Sequence, residues 1–212
     1  MNTAQRIAKY LLDVEAVTLS PLEPYTWASG LKSPIYCDNR ITMSYPEVRM
    51  NIARGLADIV RQKYQFVDMI VGTATAGIPQ ACWVSEALAL PMAYVRVAAK
   101  DHGRSKQIEG FIPEKSKVIV IEDLISTGGS SIKACKVLEE AGHEVVAVLS
   151  VFDYELDSAR QNFENAGIPY ESLSNYSTLI DVAVSSGTIS QSDLASLKAW
   201  RQDPQAYTEA HQ

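Results

Sequence analysis

Residues 118–130 read Val-Ile-Val-Ile-Glu-Asp-Leu-Ile-Ser-Thr-Gly-Gly-Ser, and this stretch decides the fold. Val118 to Ile121 are apolar and β-branched. A run of this kind before a Gly-rich turn and a helical pattern reads as a buried parallel strand. Glu122 and Asp123 follow at once. Two acids do not enter a core cheaply, so the expectation places them beyond the strand end, in the crevice where α/β sheets bind ligands. The loop from Ser126 through Thr127, Gly128, Gly129 and Ser130 offers small side chains, hydroxyls and free backbone N–H groups. It opens a helix, whose orphan donors and positive dipole end favour an anion. Acids for sugar hydroxyls beside a nest for a phosphate point to a phosphorylated ribose.

Working outward, Ala134, Val137, Leu138 and Ala141 keep helical spacing and Gly142 stops the helix. Val145 to Phe152 is another strand. On the N-terminal side, Val67 to Val71 reads as a buried strand, residues 78–88 as a helix and Met92 to Val97 as a strand. Residues 98–110 are polar and without period, and read as a long exposed loop. Strand and helix alternate from about residue 66 to 152, which means βαβ units and a parallel sheet. Further out, Ala4, Ile7, Ala8, Leu11 and Leu12 give a first amphipathic helix. Residues 18–42 read as loops and short strands. Ser44-Tyr45-Pro46-Glu47 reads as a capping box opening a helix to about Arg61. The tail adds helices near 177–186 and 191–201. The expected organisation is one α/β domain over 1–212, with a small N-terminal hood and helix in 1–45 and the core with C-terminal helices in 46–212.

The bulk charge sets limits on partners. The 212 residues carry a net charge of −6, which argues against a nucleic-acid surface. A polyanionic ligand must then be met by a local basic cluster, and the best available is Arg96, Lys100 and His102. A solvated charged face is the alternative reading of that cluster. The three cysteines, Cys37, Cys82 and Cys135, lack CxxC spacing, and the three histidines lack metal-ligand spacing. No apolar run nears the ~20 residues of a membrane span. The expectation is a soluble cytoplasmic protein that binds no membrane. A second small-residue loop, Gly72-Thr73-Ala74-Thr75-Ala76-Gly77, also joins a strand to a helix. It is not a Walker A loop, since no Gly-Lys-Ser/Thr follows. It reads either as a tight packing turn or as a backbone that approaches a ligand closely.

The 118–130 block resembles the PRPP-binding motif of the type I phosphoribosyltransferases (PRPP is 5-phosphoribosyl 1-pyrophosphate). The resemblance implies their fold, a central mostly parallel sheet flanked by helices under a small hood. It also extends beyond the block. Tyr94-Val95-Arg96 followed by Lys100-Asp101-His102-Gly103 is similar to the catalytic loop of the orotate phosphoribosyltransferases, and Thr26 to Arg40 is similar to their hood. The tail from Asn175 to Leu179 also fits.

By this resemblance PRPP contacts Arg96, Lys100, His102, Glu122, Asp123, the stretch Leu124, Ile125, Ser126, Thr127, Gly128, Gly129, Ser130, and the pyrophosphate loop Thr73, Ala74, Thr75, Ala76, Gly77. Orotate contacts Tyr36 and Ser126. Lys100 and Asp123 are the catalytic pair. Mg²⁺ is the implied cofactor, carried on PRPP with no direct protein ligand. A homodimer is implied, with loop 98–110 acting in the neighbouring subunit's site. The chain also departs from the family pattern. Val97 and Ala28 stand where relatives carry lysine, and Val151 to Glu155 lacks an arginine that many relatives aim at the orotate carboxylate. Core packing is an alternative for Trp27 and Tyr36. A purine-specific enzyme of the same fold and a PRPP-sensing regulator are the rival readings.

Overall fold

The computed structural model describes residues 1–27, 29–96 and 107–211. Its chain order begins α1 Thr3–Asp13, β1 Val17–Leu19, β2 Tyr25–Thr26, β3 Lys32–Ser33 and β4 Ile35–Cys37. A 3₁₀ turn at Asn39–Ser44 leads to α2 Pro46–Lys63, β5 Met69–Thr73, α3 Gly77–Leu88, β6 Met92–Val95 and β7 Ile108–Glu109. Then come β8 Lys117–Ile125, α4 Gly129–Glu140, β9 Glu144–Asp153, α5 Asp157–Ala166 and β10 Tyr170–Asn175. The chain closes with α6 Tyr176–Ser185, a 3₁₀ turn at Gln191–Asp193, α7 Leu194–Gln202 and α8 Pro204–Ala210.

Six strands form the main sheet in the order β10-β9-β8-β5-β6-β7. All neighbours are parallel except the edge pair β6-β7. The period of two in the central strands sorts their side chains between two cores. Ile70, Ile119, Ile121 and Leu149 face the layer built by α1, α2, α3, α6 and α7. Met69, Val71, Val118, Val120 and Val148 face α4 and α5 through Ile132, Cys135, Leu138 and Phe163. Both faces are covered, which is why these strands read as continuous apolar runs.

The hood is two small antiparallel pairs, β1 with β4 and β2 with β3, followed by the 3₁₀ turn. The C-terminal helices prop it from behind. Trp200 Nε1 donates to the Lys32 carbonyl at 3.1 Å, and Thr208 Oγ1 accepts from the Lys32 N–H at 2.9 Å. Helix α1 does not belong to the hood: Ile7 and Leu11 are fully buried in the main core.

Several expectations are corrected. The run Val118–Ile121 is only the first half of β8, which continues through both acids to Ile125 because β9 pairs with it as far as Asp153. The strand expected from Val67 begins at Met69, and Phe66 is solvent-exposed. The capping box at Ser44 is absent. Tyr45 is the N-cap of α2 with no side-chain hydrogen bond, and Pro46 starts the helix by its fixed φ. The end of the expected 98–110 loop is not irregular, since Ile108 and Glu109 pair with β6. Helix α5, strand β10 and helix α8 carried no clear sequence period. In α5 only Ala159 and Phe163 are buried, and β10 is a polar edge strand.

Candidate active site

The parallel order puts the carboxyl ends of β5, β6, β8 and β9 on one rim of the sheet, and every described element of the predicted site converges there. In β8 the acids divide. Glu122 is buried, contrary to the expectation of two solvent-side carboxylates. Its Oε2 accepts from Ser131 Oγ at 3.0 Å and its Oε1 from the Asp123 N–H at 3.0 Å. Asp123 is more open, and the amide of Asn39 donates to its main-chain carbonyl at 2.6 Å. Burial, then the neighbouring Asp123 carboxylate, push the Glu122 carboxyl up to about 8. Burial also raises Asp123.

These shifts have a stability consequence. The folded chain holds the Glu122 proton more tightly than the unfolded chain does. Stability is therefore fully present at acidic pH and falls as pH rises from the ordinary carboxylate range, 4.5, towards about 8. Asp153, raised to about 6 by burial, adds to the early part of that fall. Glu122→Gln keeps the shape and cannot ionise. The melting temperature of the substrate-free variant, relative to the parent, should climb between about pH 5 and about pH 8; Asp153 cancels in the difference. A difference that stays flat across this range would mean that Glu122 is already ionised at the acidic end.

After β8 the chain turns into α4. Gly128 sits at φ +76°, and a Cβ there would lie 2.5 Å from Phe163 Cε2, so this position requires glycine. No side chain caps α4. Its first-turn N–H groups, at Gly129, Ser130 and Ser131, have no intrahelical partner and face the rim. The Thr127 carbonyl is anchored by Asn162 Nδ2 at 2.9 Å. Ser126 and Thr127 thus sit in a turn held by Gly128 against Phe163 and by Asn162. An uncapped helix N-terminus after a small-residue turn has the chemistry to meet an anion.

The second loop lies alongside. Thr73 ends β5 buried, and its Oγ1 donates to the Ile121 carbonyl at 3.2 Å. Ala74 N–H donates to the Val95 carbonyl at 2.9 Å. Gly77 presses on β8: a Cβ would stand 2.5 Å from both the Ile121 carbonyl oxygen and Thr73 Oγ1. Thr75 and Ala76 remain accessible. A cleft joins this loop to Arg96, lined by Thr73, Ala74, Arg96, Gln107, Ser130 and Lys133. Arg96 follows β6, and its Nη1 lies 3.5 Å from Glu109 Oε1. Lys133 was not singled out in the sequence. It lies one turn into α4 as an ordinary exposed lysine, and only the packing of α4 beside Arg96 shows its place.

On the other side is the hood. Tyr36 is 47% exposed, its ring 5.8 Å from that of Tyr25. Its neighbour Cys37 has its thiol pushed up by burial and then by Asp123, which places β4 next to the acids. Trp27 takes the packing role: its ring is 5.2 Å from Tyr154 and 5.6 Å from Trp200. Tyr154 is itself buried in that cluster. Lys32 Nζ reaches Thr26 Oγ1 at 3.0 Å. Arg40 is already held by both oxygens of Asp38, at 2.7 and 2.8 Å. Arg160 serves the surface of α5 through Asp157 and Glu164. Lys100 and His102, with Ala28, Val97, Arg104 and Lys106, lie outside the described residues.

Comparison with known proteins gives the same grouping. The model of the phosphoribosyl transferase domain matches residues 44–178. The chain is 55% identical to orotate phosphoribosyltransferase of Cutibacterium acnes over 208 residues, covering 98% of this chain and 96% of that one. It is 56% identical to the enzyme of that name from Staphylococcus saprophyticus over 198 residues, covering 93% and 98%. Among solved structures, orotate phosphoribosyltransferase from Aeropyrum pernix superposes with a TM-score of 0.74 at 27% identity, covering 87% of this chain and 99% of that one. UMP synthase of Leishmania donovani gives a TM-score of 0.80 at 29% identity, with 94% of this chain covering 42% of that longer one. With a family model across most of its length, and relatives above half identity end to end, the chain belongs to the orotate phosphoribosyltransferases.

Proposed function

We infer that the chain transfers the 5-phosphoribosyl group of PRPP to orotate, giving orotidine 5′-monophosphate and pyrophosphate, a step of pyrimidine biosynthesis. One observation carries this reading. The Asp123 acid, the uncapped N-terminus of α4, the Thr73–Gly77 turn and the exposed ring of Tyr36 share one rim of the sheet. Sugar, phosphate, leaving group and flat base thus each meet a suitable surface.

In the reaction the bond from ribosyl C1 to the pyrophosphate oxygen breaks, with its electron pair leaving on pyrophosphate. A bond from C1 to a ring nitrogen of orotate forms as that nitrogen gives up its proton to water or to the released pyrophosphate. C1 gains cationic character between the two. The protein needs no nucleophile of its own. It holds the reactants in line and excludes water. Asp123 grips the ribose hydroxyls and its negative charge favours the developing positive charge, while Glu122 behind it, tied to Ser131 Oγ and to the Asp123 N–H, holds the strand in place beside PRPP. Leu124 and Ile125 carry the strand into the Ser126–Ser130 cradle, which holds the 5′-phosphate. Thr73 to Gly77 hold the pyrophosphate by backbone contacts, and Arg96, Lys100 and His102 neutralise it. Tyr36 lies against the pyrimidine, and Ser126 with nearby amides meets its carboxylate.

The pyrophosphate and ribose oxygens of PRPP would form an all-oxygen donor set suited to Mg²⁺, a hard cation that keeps much of its water, with no direct protein ligand required. When bound, Mg²⁺ supplies positive charge to the pyrophosphate and ribose oxygens. The unit at work is a homodimer in which loop 98–110 completes the neighbouring site. The setting is the cytoplasm, and among the described residues no helix is long and apolar enough to cross a membrane.

The test is absorbance in the orotate band, with purified protein, orotate and PRPP, with and without Mg²⁺. Loss of orotate that requires Mg²⁺ and releases pyrophosphate is the expected result. Consumption of a purine base instead would overturn the choice of substrate.

A further inference from the structure

Strand β8 outlasts its partner. β5 accompanies it only to Gly72 opposite Ile121, whereas β9 continues to Asp153 opposite Ile125. From Glu122 onward β8 has a strand on one side only. Backbone groups of alternate residues face the same edge, so the carbonyls of Ile121 and Asp123 both point to the side that β5 has left. Side chains take the place of the strand there. Thr73 Oγ1 donates to the Ile121 carbonyl at 3.2 Å, and Asn39 Nδ2 to the Asp123 carbonyl at 2.6 Å.

Asn39 reaches this carbonyl from the hood, 84 positions away in sequence, and is 1% exposed. It is braced in turn. Thr42 Oγ1 donates to the Asn39 carbonyl at 2.6 Å and accepts from Gln80 Nε2 at 3.4 Å. Gln80 is buried in the first turn of α3, directly behind the Thr73–Gly77 turn. One buried polar chain therefore joins the hood, the helix of the pyrophosphate turn and the strand that carries the acids. The amide of Asn39 can point only one way, since its oxygen would repel the Asp123 carbonyl. That orientation leaves Asn39 Oδ1 buried without a partner among the described residues. An unpaired buried acceptor lowers stability, so tight packing alone does not account for an asparagine here.

We propose that Asn39 is a positioning residue for ribosyl transfer: it replaces the missing strand at Asp123 and holds that carboxylate in register for the ribose of PRPP. The inference rests on the assignment of Asp123 to the ribose.

The test uses the full chain with Asn39→Ala and Asn39→Leu. The leucine variant fills the space without offering a donor, and serves if the alanine variant does not fold. Steady-state kinetics with each substrate varied are combined with PRPP calorimetry and with the folded fraction from thermal melts. The expected result is a KM for PRPP raised about 10-fold and a kcat lowered about 10-fold or more, the scale of a small misplacement at a reacting centre. The KM for orotate should stay within about 2-fold. An unchanged KM and affinity for PRPP, with a kcat that falls only with the folded fraction, would overturn the inference. So would an effect confined to orotate, which would assign Asn39 to the base. If the parent protein shows no turnover, the functional reading fails instead, and PRPP calorimetry still decides whether Asn39 positions the ribose site.

Discussion

Lys100→Ala is expected to lower kcat by ~10²-fold or more, the scale of losing one preorganised charge contact in a dry site. The reason is a shortage of positive charge. The chain is acidic overall, at −6, and its substrate and leaving group are polyanions. Of the cations around the described site, Arg96 is paired with Glu109 and Arg40 is held by Asp38. Lys133 lies on the cleft wall, on the side of α4. On the proposed reading Arg96, Lys100 and His102 share the neutralisation of the departing pyrophosphate, and Lys100 is the member expected to count most. The KM for orotate should change little, because the lost contact is made to the leaving group. A kcat equal to that of the parent would remove the loop from the mechanism. The same variant tests the dimer. Mixed with Asp123→Asn under subunit exchange, a loop acting in trans regenerates one intact site in each mixed dimer, about a quarter of parental activity for random pairing. No recovery after proven exchange would mean that the loop acts within its own subunit.

The second large effect is expected at Gly77. An added Cβ meets the Ile121 carbonyl oxygen and Thr73 Oγ1, each at 2.5 Å. Neither yields easily. The carbonyl belongs to the central strand, and Thr73 already hydrogen-bonds to it. Gly77→Ala must push α3 away from β8, which separates the pyrophosphate turn from the acids. Overpacking of this kind costs about 1–3 kcal/mol, and PRPP affinity should drop by about 10-fold or more on top of that, as the contacts lose alignment. Gly129→Ala is the control for stability. Its Cβ would meet only Thr127 Oγ1, at 3.7 Å, in a helical first turn, so the melting temperature should hold within a few degrees. Thermal melts of both variants, with PRPP calorimetry on Gly77→Ala against the parent, decide the matter. Equal melting temperatures for the two variants and parental PRPP affinity for Gly77→Ala would show that the contact of Gly77 with β8 is slack.

How legible the molecule was depended on what kind of contact made each part. The Glu122–Ser131 segment could be read because its chemistry is local. Apolar residues, acids, small residues and a helix opening follow one another along the chain, each with its own backbone preference. Helices with one apolar face, such as α1 and α4, could be read for the same reason. Helix α5 and strand β10 could not, since their few buried residues gain their meaning from Phe163 under Gly128 and from pairing with β9.

In the site, the sequence placed both acids at a solvent crevice. The structure buries Glu122 and leaves Asp123 half-buried. Nothing in the pair Glu-Asp distinguishes them. The distinction arises from the alternation of β8 and from the hydroxyl of Ser131. Lys133 and Asn39 were invisible for a similar reason: an exposed helical lysine and a loop asparagine look ordinary until other elements close on them.

By itself, then, the sequence determined the strand–turn–helix whose chemistry suits a phosphorylated ribose, the parallel α/β class and the resemblance to one family. Those properties reside in consecutive residues and in periodicities of two and of about 3.6. Only the tertiary structure decided where β8 loses its neighbour, which acid is buried, and which side chain takes the empty edge. These depend on how far β5 and β9 each run beside β8, a difference in strand length that no local pattern encodes.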